Sequence, residues 1–461
     1  MVRTQGASMH PARSRSTRSW IDSSPFGGTL DQSVVIIGAG LAGASAALRL
    51  AKSGVRSLVL EARDRYGGRA FLRPFAGDGP LLEYGGAWIT PWQHRVRSLV
   101  EEHGLGLRPR RPVTARHWLR DGGCHATGPT SELERGAHER ILARVAMDSM
   151  LVKLGYSEDE AGRPLNQLSF ADYLDRLSPP TATRHLFSAW WTVSGNGDHE
   201  SVAASEFLGS CRYGGGLAEG MMDVWADTLE PGMAALVERM LAAAAADVRL
   251  GHAVVGIDHS SDRVTLMLHN GVKITSEFCI LALGVNQLAP IAISPALSTD
   301  KRMIVDHGHG GRSFKIWIEA VGVEVGTLVT GYGEGIEFAF AEREGPDEAT
   351  LIVGFGLMRG GADPGNEAWV REQVSRLFPN AKVLASDWHD WVHDPYSRGT
   401  WVAAPVGLEQ MLESRNWQPE GRLYFASSDI ARDQAGWFEA AVISGEDAAD
   451  AVLRTVQPSR G

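Results

Sequence analysis

The sequence predicts an α/β protein of more than one packed unit, organised on a parallel βαβ sheet with an α+β second unit and a helical insertion. Three observations point there. A β-branched run, Val34-Val35-Ile36-Ile37, ends at a glycine-rich turn; an alanine- and leucine-rich segment, Ala42 to Ser53, follows at helical spacing; a second apolar run, Ser57 to Leu60, ends in Glu61. Gly54 stands where a helix C-cap glycine belongs, so strand, helix and strand form one βαβ unit.

At 461 residues the chain is long enough for two or three packed units, and 44% apolar residues supply a large core. With 45 basic against 55 acidic residues and a net charge of −10, nothing favours a nucleic acid or an anionic membrane as partner. Cys124, Cys211 and Cys279 form no Cys-x-x-Cys pair, and their odd number fits a reducing compartment, the cytoplasm. The basic start, with Arg3, Arg13, Arg15 and Arg18, precedes no apolar run of signal-peptide length and reads as a disordered tail over 1–32. The strongest apolar run, Val34 to Ala51, is broken by Gly38, Gly40 and Gly43, which argues against a membrane span.

Farther along, Gly232 to Ala246 reads as a helix, and Val248 to Leu250, Ala253 to Asp258 and Arg263 to His269 read as strands before an Asn270-Gly271 turn. Phe278 to Gly284 is apolar throughout, as a strand buried on both faces is. The first unit resumes here, and its expected extent is 33–75, 229–290 and 396–457. Residues 131–228 are helical in character, clearest over Ser131 to Leu154 and Ser201 to Leu208, and read as an insertion. Between Ser313 and Val383, β-type segments (Phe314 to Ala320, Thr350 to Phe355) alternate with an amphipathic helix from Asn366 to Phe378. An α+β second unit over 76–130 and 291–395 is expected.

Gly38-Ala39-Gly40-Leu41-Ala42-Gly43 matches G-x-G-x-x-G between strand and helix, the Rossmann-type arrangement for a dinucleotide. Gly38 permits the tight turn, Gly40 admits a pyrophosphate to the backbone, and Gly43 lets helix pack on strand, while free N–H groups of the helix start face the anion. Glu61 can accept from ribose hydroxyls, and an acid there disfavours a 2′-phosphate. These residues alone do not separate FAD from NAD.

The continuation, Glu61-Ala62-Arg63-Asp64-Arg65-Tyr66-Gly67-Gly68-Arg69, resembles the E-A-R-x-R-x-G-G-R start of the flavin-containing amine oxidase (monoamine oxidase) superfamily. The resemblance implies a Rossmann-type FAD-binding domain, with Ala62, Arg63 and Gly68 beside the cofactor and Arg69 donating to its pyrophosphate or flavin carbonyls. Glu83 to Trp88 resembles the family's second glycine pair, which implies that Gly85, Gly86, Ala87 and Trp88 lie against the isoalloxazine. Tyr424 to Asp429 with Ala435 to Val442 resembles the C-terminal signature, in which Trp437, Phe438 and Ala441 bring a helix N-terminus to the flavin pyrimidine. Ser427 and Asp429 replace the family's more usual Gly and Glu, and Asp429 is expected to reach the ribityl hydroxyls. Val254 matches the strand position that meets the adenine half through backbone. Together these segments extend the resemblance over about residues 33 to 455.

Lys315 interrupts an otherwise apolar alternating strand, Ser313 to Ile318, and therefore needs a polar partner or a water. A lysine snorkelling from a strand edge is the alternative; the resemblance implies a lysine bridged by water to flavin N5. Asp394 to Trp401 resembles the loop carrying one wall of the family's aromatic cage, so Trp401 and Trp437 are expected as facing walls, where core packing is the plainer reading of either indole. Thr400 stands where covalently flavinylated relatives have cysteine, which implies non-covalent FAD. Trp88 stands where L-amino-acid oxidases of the superfamily hold a carboxylate-binding arginine, which favours amines without a carboxylate.

The implied reaction is oxidation of a small to medium apolar primary or secondary amine. Hydride passes from the α C–H to flavin N5, the imine hydrolyses to a carbonyl compound, and O2, giving H2O2, or another acceptor takes the electrons. A bacterial nicotine-oxidase-like branch is one placement; an L-amino-acid oxidase, a flavin desaturase or a non-catalytic flavoprotein are the alternatives. A homodimer is compatible with the sequence. No metal is expected: His389 and His393 would share a strand face about 13 Å apart, and Gly214 to Gly220 lacks the Lys-Ser/Thr of a P-loop and reads as a flexible loop.

Overall fold

The computed structural model describes residues 30–120, 123–126, 132–154, 156, 158, 162, 164–211, 227–333, 335–408, 414–431 and 434–456. The tail as far as residue 29 and the glycine run Gly214 to Gly220 lie outside the described residues.

An eight-stranded sheet is ordered Asp247–Arg249, Ser57–Leu60, Leu30–Ile37, Lys273–Leu281, Val264–Leu268, Val254–Asp258, Ala292–Ser294, with Leu423–Phe425 also on Lys273–Leu281. The strand Leu30–Ile37 lies parallel to both neighbours, Val34 opposite Phe278 and Ser57, Ile37 opposite Leu281 and Leu60. Its apolar run is continuous because both faces are covered. Val34 and Ile36 face one core with the helices Leu41–Lys52, Met233–Ala243 and Phe438–Val456; Val35 and Ile37 face a second with Leu288, Ile304 and Trp417. Two expected boundaries move. Pairing begins at Leu30, inside the expected tail, because residues 30–32 extend the parallel ladder along Ile274 to Ser276. Ala292–Ser294 closes an edge of this first sheet, pairing with Gly256 to Asp258, although 291 was expected to open the second unit.

A seven-stranded sheet runs Lys382–Trp388, Ser313–Val321, Thr350–Leu357, Phe338–Glu344, Thr327–Thr330, Ala115–Arg120, Gly123–His125. Strand alternation sorts its two faces. Phe314, Ile316, Ile318 and Ala320 pack with Val370, Val374 and Leu377 of the helix Glu367–Leu377, whose N-cap Asn366 accepts from Ala368 N and Trp369 N. Lys315 alternates onto the other face, where Trp317, Phe338 and Phe355 pack with Phe75, Leu82 and Tyr84. Past Trp388 the chain leaves the sheet. Asp390 Oδ1 accepts from Val392 N and His393 N, so His389 to Asp394 is a turn rather than the expected strand.

The helices Glu132–Lys153, Phe170–Leu177, Thr181–Gly195 and Ala204–Cys211 share a third core around Phe170, Trp191 and Phe207. Among the described residues no helix is long and apolar enough to cross a membrane, and no group of three or more His, Cys, Asp or Glu is placed to hold a metal ion.

Close approach of two helices fixes the floor of the first unit. A Cβ on Gly445 would run into the carbonyl of Ala42 and lie 2.8 Å from Ser45 Cβ, so Phe438–Val456 crosses Leu41–Lys52 with no room for a side chain. Gly445→Val is expected to destabilise the protein by about 1–3 kcal/mol through overpacking. Urea unfolding checks this, and an unchanged midpoint would show that the two helices can slide apart.

Candidate active site

One cavity of about 590 Å³ joins the first sheet to the Lys315 end of the second. At its nucleotide end lie Gly38, Gly40, Leu41, Ala42, Glu61, Ala62, Arg63, Gly68 and Val254. Gly38 adopts φ +105, and a Cβ there would meet the Ala282 carbonyl at 2.5 Å. Gly40 is the N-cap of Leu41–Lys52 and offers no side-chain acceptor, which leaves first-turn N–H groups available to an anion. Gly43 is absent from the lining: a Cβ on it would run into the Gly38 carbonyl, so its smallness serves turn and helix packing.

Ala39 is also buried behind the wall, where its N–H donates to Glu61 Oε2 at 2.9 Å, while Glu61 Oε1 accepts from Arg63 N at 2.9 Å. Both carboxylate oxygens thus carry backbone donors, and the residue lines the cavity. Arg63 donates to Asp394 Oδ1 at 2.7 Å and Ser397 Oγ at 2.8 Å. Burial opposes ionisation of Asp394, yet the bonds from His389 and Arg63 outweigh it and hold this carboxyl well below the usual range. The loop after Trp388 is thereby tied across the nucleotide end.

In the middle of the cavity Arg69 donates to the Thr400 carbonyl at 2.7 Å, to Ser428 Oγ at 3.0 Å and to Asp429 Oδ1 at 2.7 Å. Asp429 corrects an expectation. Fully buried and absent from the lining, it spends its carboxylate on Arg69 and, at 3.1 Å, on Val285 N, so it is a counter-ion beneath the cavity and does not present itself to a ribityl chain. Burial pushes the Asp429 carboxyl up, but Arg69 and then His309 prevail and keep it below its ordinary range. Ser427 and Ser428 line the wall instead.

Gly85, Gly86, Ala87 and Trp88 line the next stretch. A Cβ on Gly85 would run into the Arg69 carbonyl, and one on Gly86 would stand 2.7 Å from the Phe438 ring, so Gly85 seats against backbone and Gly86 against an aromatic ring. Trp437, Phe438 and Ala441 bring the start of Phe438–Val456 to the same wall.

Lys315 is 6% exposed, and its Nζ donates to the Gly85 carbonyl at 3.0 Å, which answers the need for a polar partner. Rings surround it: Trp88 at 5.2 Å, Phe355 at 5.7 Å and Trp317 at 5.8 Å. Burial lowers its pKa to about 8 against the upward pull of Glu83 and Glu342. Trp401 and Trp437 line this end together with Trp88, Phe355, Val193 and Ser194, and the Trp401 Nε1–H donates to the Ser194 carbonyl at 3.1 Å. Val193 and Ser194, at the end of Thr181–Gly195, went unrecognised in the sequence; the Trp190-Trp191 pair before them signals a buried helix but not which face meets a cavity. Thr400, beside Trp401, is buried with its hydroxyl donating to Asn196 Oδ1 at 2.6 Å.

The whole arrangement fits FAD: an uncapped helix start and open Gly40 for a pyrophosphate, Glu61 at the end of the second strand, and a continuous cavity that ends at a buried amine among aromatic rings. The fold and this donor set are those of a Rossmann-type, FAD-dependent oxidoreductase. The flavin containing amine oxidoreductase family matches residues 41–453, and the chain belongs to it. It is 28% identical over 428 residues to the (S)-6-hydroxynicotine oxidase of Paenarthrobacter nicotinovorans, covering 91% of this chain and 99% of that one. A pseudooxynicotine dehydrogenase of Pseudomonas sp is 28% identical over 443 residues, covering 92% of this chain and 86% of that one. Among solved structures, a putrescine oxidase superposes with a TM-score of 0.81 at 22% identity, covering 92% of this chain and 100% of that one.

Two outcomes follow from the geometry. A Cβ on Gly40 would find nothing nearer than 3.9 Å and its φ is −84°, so Gly40→Leu is expected to fold normally yet purify without flavin. Native circular dichroism with normal visible absorbance would remove Gly40 from the phosphate site. The second outcome concerns Lys315, whose folded pKa of about 8 lies below its ordinary 10.5. The fold disfavours the charged form; between these two values the unfolded chain binds more protons, so stability gains with rising pH. Thermal midpoints of wild type relative to Lys315→Met should therefore climb as pH rises from about 8 toward 10.5, and a flat difference would refute the depressed pKa.

Proposed function

We propose that the protein oxidises a small to medium apolar primary or secondary monoamine at its α-carbon, with FAD held non-covalently. The observation that supports this most directly is the chamber around Lys315. Trp88, Phe355, Trp401, Trp437 and Val193 wall it, and Glu61, at the nucleotide end, is the only acid among the described lining residues. Such walls strip water from an entering amine and favour its neutral form, while the indole faces fix the nitrogen and aim the α C–H. Lys315, with a pKa of about 8, can hold or release a proton near neutrality at Nζ and so serves water-linked proton movement there. FAD, held by the Gly40 turn and Glu61, would supply the acceptor for the α-carbon hydride, with O2, giving H2O2, or another acceptor taking the electrons in turn. The imine left behind hydrolyses to a carbonyl compound. Thr400, where a thioether-forming cysteine would be needed, keeps its hydroxyl on Asn196, which supports the non-covalent reading.

The same walls discriminate between substrates. A diamine would carry a second ammonium into a chamber whose described lining holds no acid beside it; burying an unpaired ion costs several kcal/mol, on the order of 10²-fold or more in kcat/KM. Anaerobic mixing should bleach the flavin rapidly with cyclohexylamine or an N-methyl alkylamine and at least about 10²-fold more slowly with putrescine. Preference for putrescine would overturn the monoamine assignment, and failure of every amine to bleach it would overturn the activity.

A further inference from the structure

Asn196 follows the helix Thr181–Gly195 and adopts φ +63, a left-handed conformation that asparagine takes more readily than most residues. It is completely buried. Its Oδ1 accepts from Ser313 N at 2.7 Å and from Thr400 Oγ1 at 2.6 Å, its Nδ2 donates to the Trp401 carbonyl, and its own carbonyl accepts from Arg312 N at 3.0 Å. One amide therefore joins the end of the helix that carries Val193 and Ser194, the first residue of the Lys315 strand, and the loop that carries Trp401. There is no slack in the junction. A Cβ on Gly311 would run into both the Trp401 carbonyl and Asn196 Nδ2, and Thr400 N donates back to the Gly311 carbonyl at 3.2 Å. The indole of Trp401 is tied at its far end to the Ser194 carbonyl at 3.1 Å.

We propose that Asn196 is a positioning residue that sets the Trp401 indole against the Lys315 chamber and so fixes the reactive orientation of the substrate amine, an assignment that rests on reading the chamber as the amine site. The side chain must accept from two donors and give to one carbonyl at once, which an amide does. Aspartate would keep the two acceptor roles but place an oxygen against the Trp401 carbonyl. That repulsion moves the wall without emptying the core. Misplacement of about 1 Å in such a wall costs roughly 10²-fold in rate.

The test uses the holoenzyme, with Asn196→Asp made in the wild-type and in the Trp401→Ala background. Three quantities are read: flavin content, the limiting anaerobic rate of flavin reduction by an amine that the wild type oxidises, and the dissociation constant of tert-butylamine, which has no α C–H, from the flavin difference spectrum. Asn196→Asp is expected to keep its flavin, lose on the order of 10²-fold in limiting rate, and bind tert-butylamine more weakly. With the indole already removed by Trp401→Ala, the same substitution should change either quantity by less than about twofold, because the two residues act as one unit. Equal losses in both backgrounds, or no loss in the wild-type background, would overturn the proposal. If Asn196→Asp gives no soluble holoprotein, Thr400→Val, which removes one donor to Oδ1, takes its place: a loss abolished by Trp401→Ala supports the role, and a loss that persists refutes it. Wild-type flavin that no amine reduces would instead sink the proposed activity, a result distinct from additive losses.

Discussion

The ion pair between Arg69 and Asp429 holds together the parts from which the cavity is made. Asp429 is wholly buried and Arg69 only partly open, so neither charge can be left alone; removing one partner of such a pair costs about 3–5 kcal/mol. From this fixed point the guanidinium reaches the Thr400 carbonyl, next to Trp401 in the cavity wall, and Ser428, next to the last helix. The Arg69 carbonyl accepts from Gly86 N at 3.1 Å, which draws in the second glycine pair and with it the acceptor for Lys315. Segments more than three hundred residues apart in sequence meet at one arginine.

Much of this was legible where chemistry is local. The βαβ unit, the strands after residue 247 and the Lys315 strand carry their periodicity on their surface, and the glycine turn carries its own reason for lacking side chains. What could not be read was partner choice. Asp429 looks like a cofactor ligand in sequence because an acid beside a flavin signature suggests a hydroxyl acceptor; that Arg69 claims it first depends on a fold that brings residue 69 to residue 429. His389 and His393 look like strand residues because tryptophan and valine surround them, yet Asp390 turns the chain by accepting two backbone donors. Asn196 gave no signal at all, since Asn-Gly after a helix reads as an ordinary terminus. Its importance lies in three bonds to segments that the sequence keeps apart.

The second sheet shows how one reactive group is placed without any motif. Strand alternation commits Phe314, Ile316 and Ile318 to a core under the helix Glu367–Leu377, and the residues between them to the opposite face. A one-residue slip of that strand would bury the ammonium beneath the helix and turn Phe314 and Ile316 toward the cavity. The eight-residue antiparallel register from Ser313 opposite Leu357 to Ala320 opposite Thr350 prevents the slip. Placement of Lys315 is therefore a property of the sheet's register, and Gly85 needs only to present one carbonyl to it.

Burial acts in the same direction on the lysine and on any amine beside it. Both are bases whose charged forms lose hydration in the ring-walled chamber, and each is repelled by the other's charge, so the stable arrangement near neutrality has at most one of them protonated. A pKa of about 8 leaves Lys315 able to be that one. On the proposed amine oxidation, an amine beside a protonated Lys315 would sit neutral, with its lone pair free to support loss of hydride from the adjacent carbon. An acid in the wall would reverse this by holding the substrate as an ammonium, whose nitrogen cannot assist. Among the described residues of the chamber no such acid faces inward, and the two acids near Lys315, Glu83 and Glu342, act on it from outside the lining.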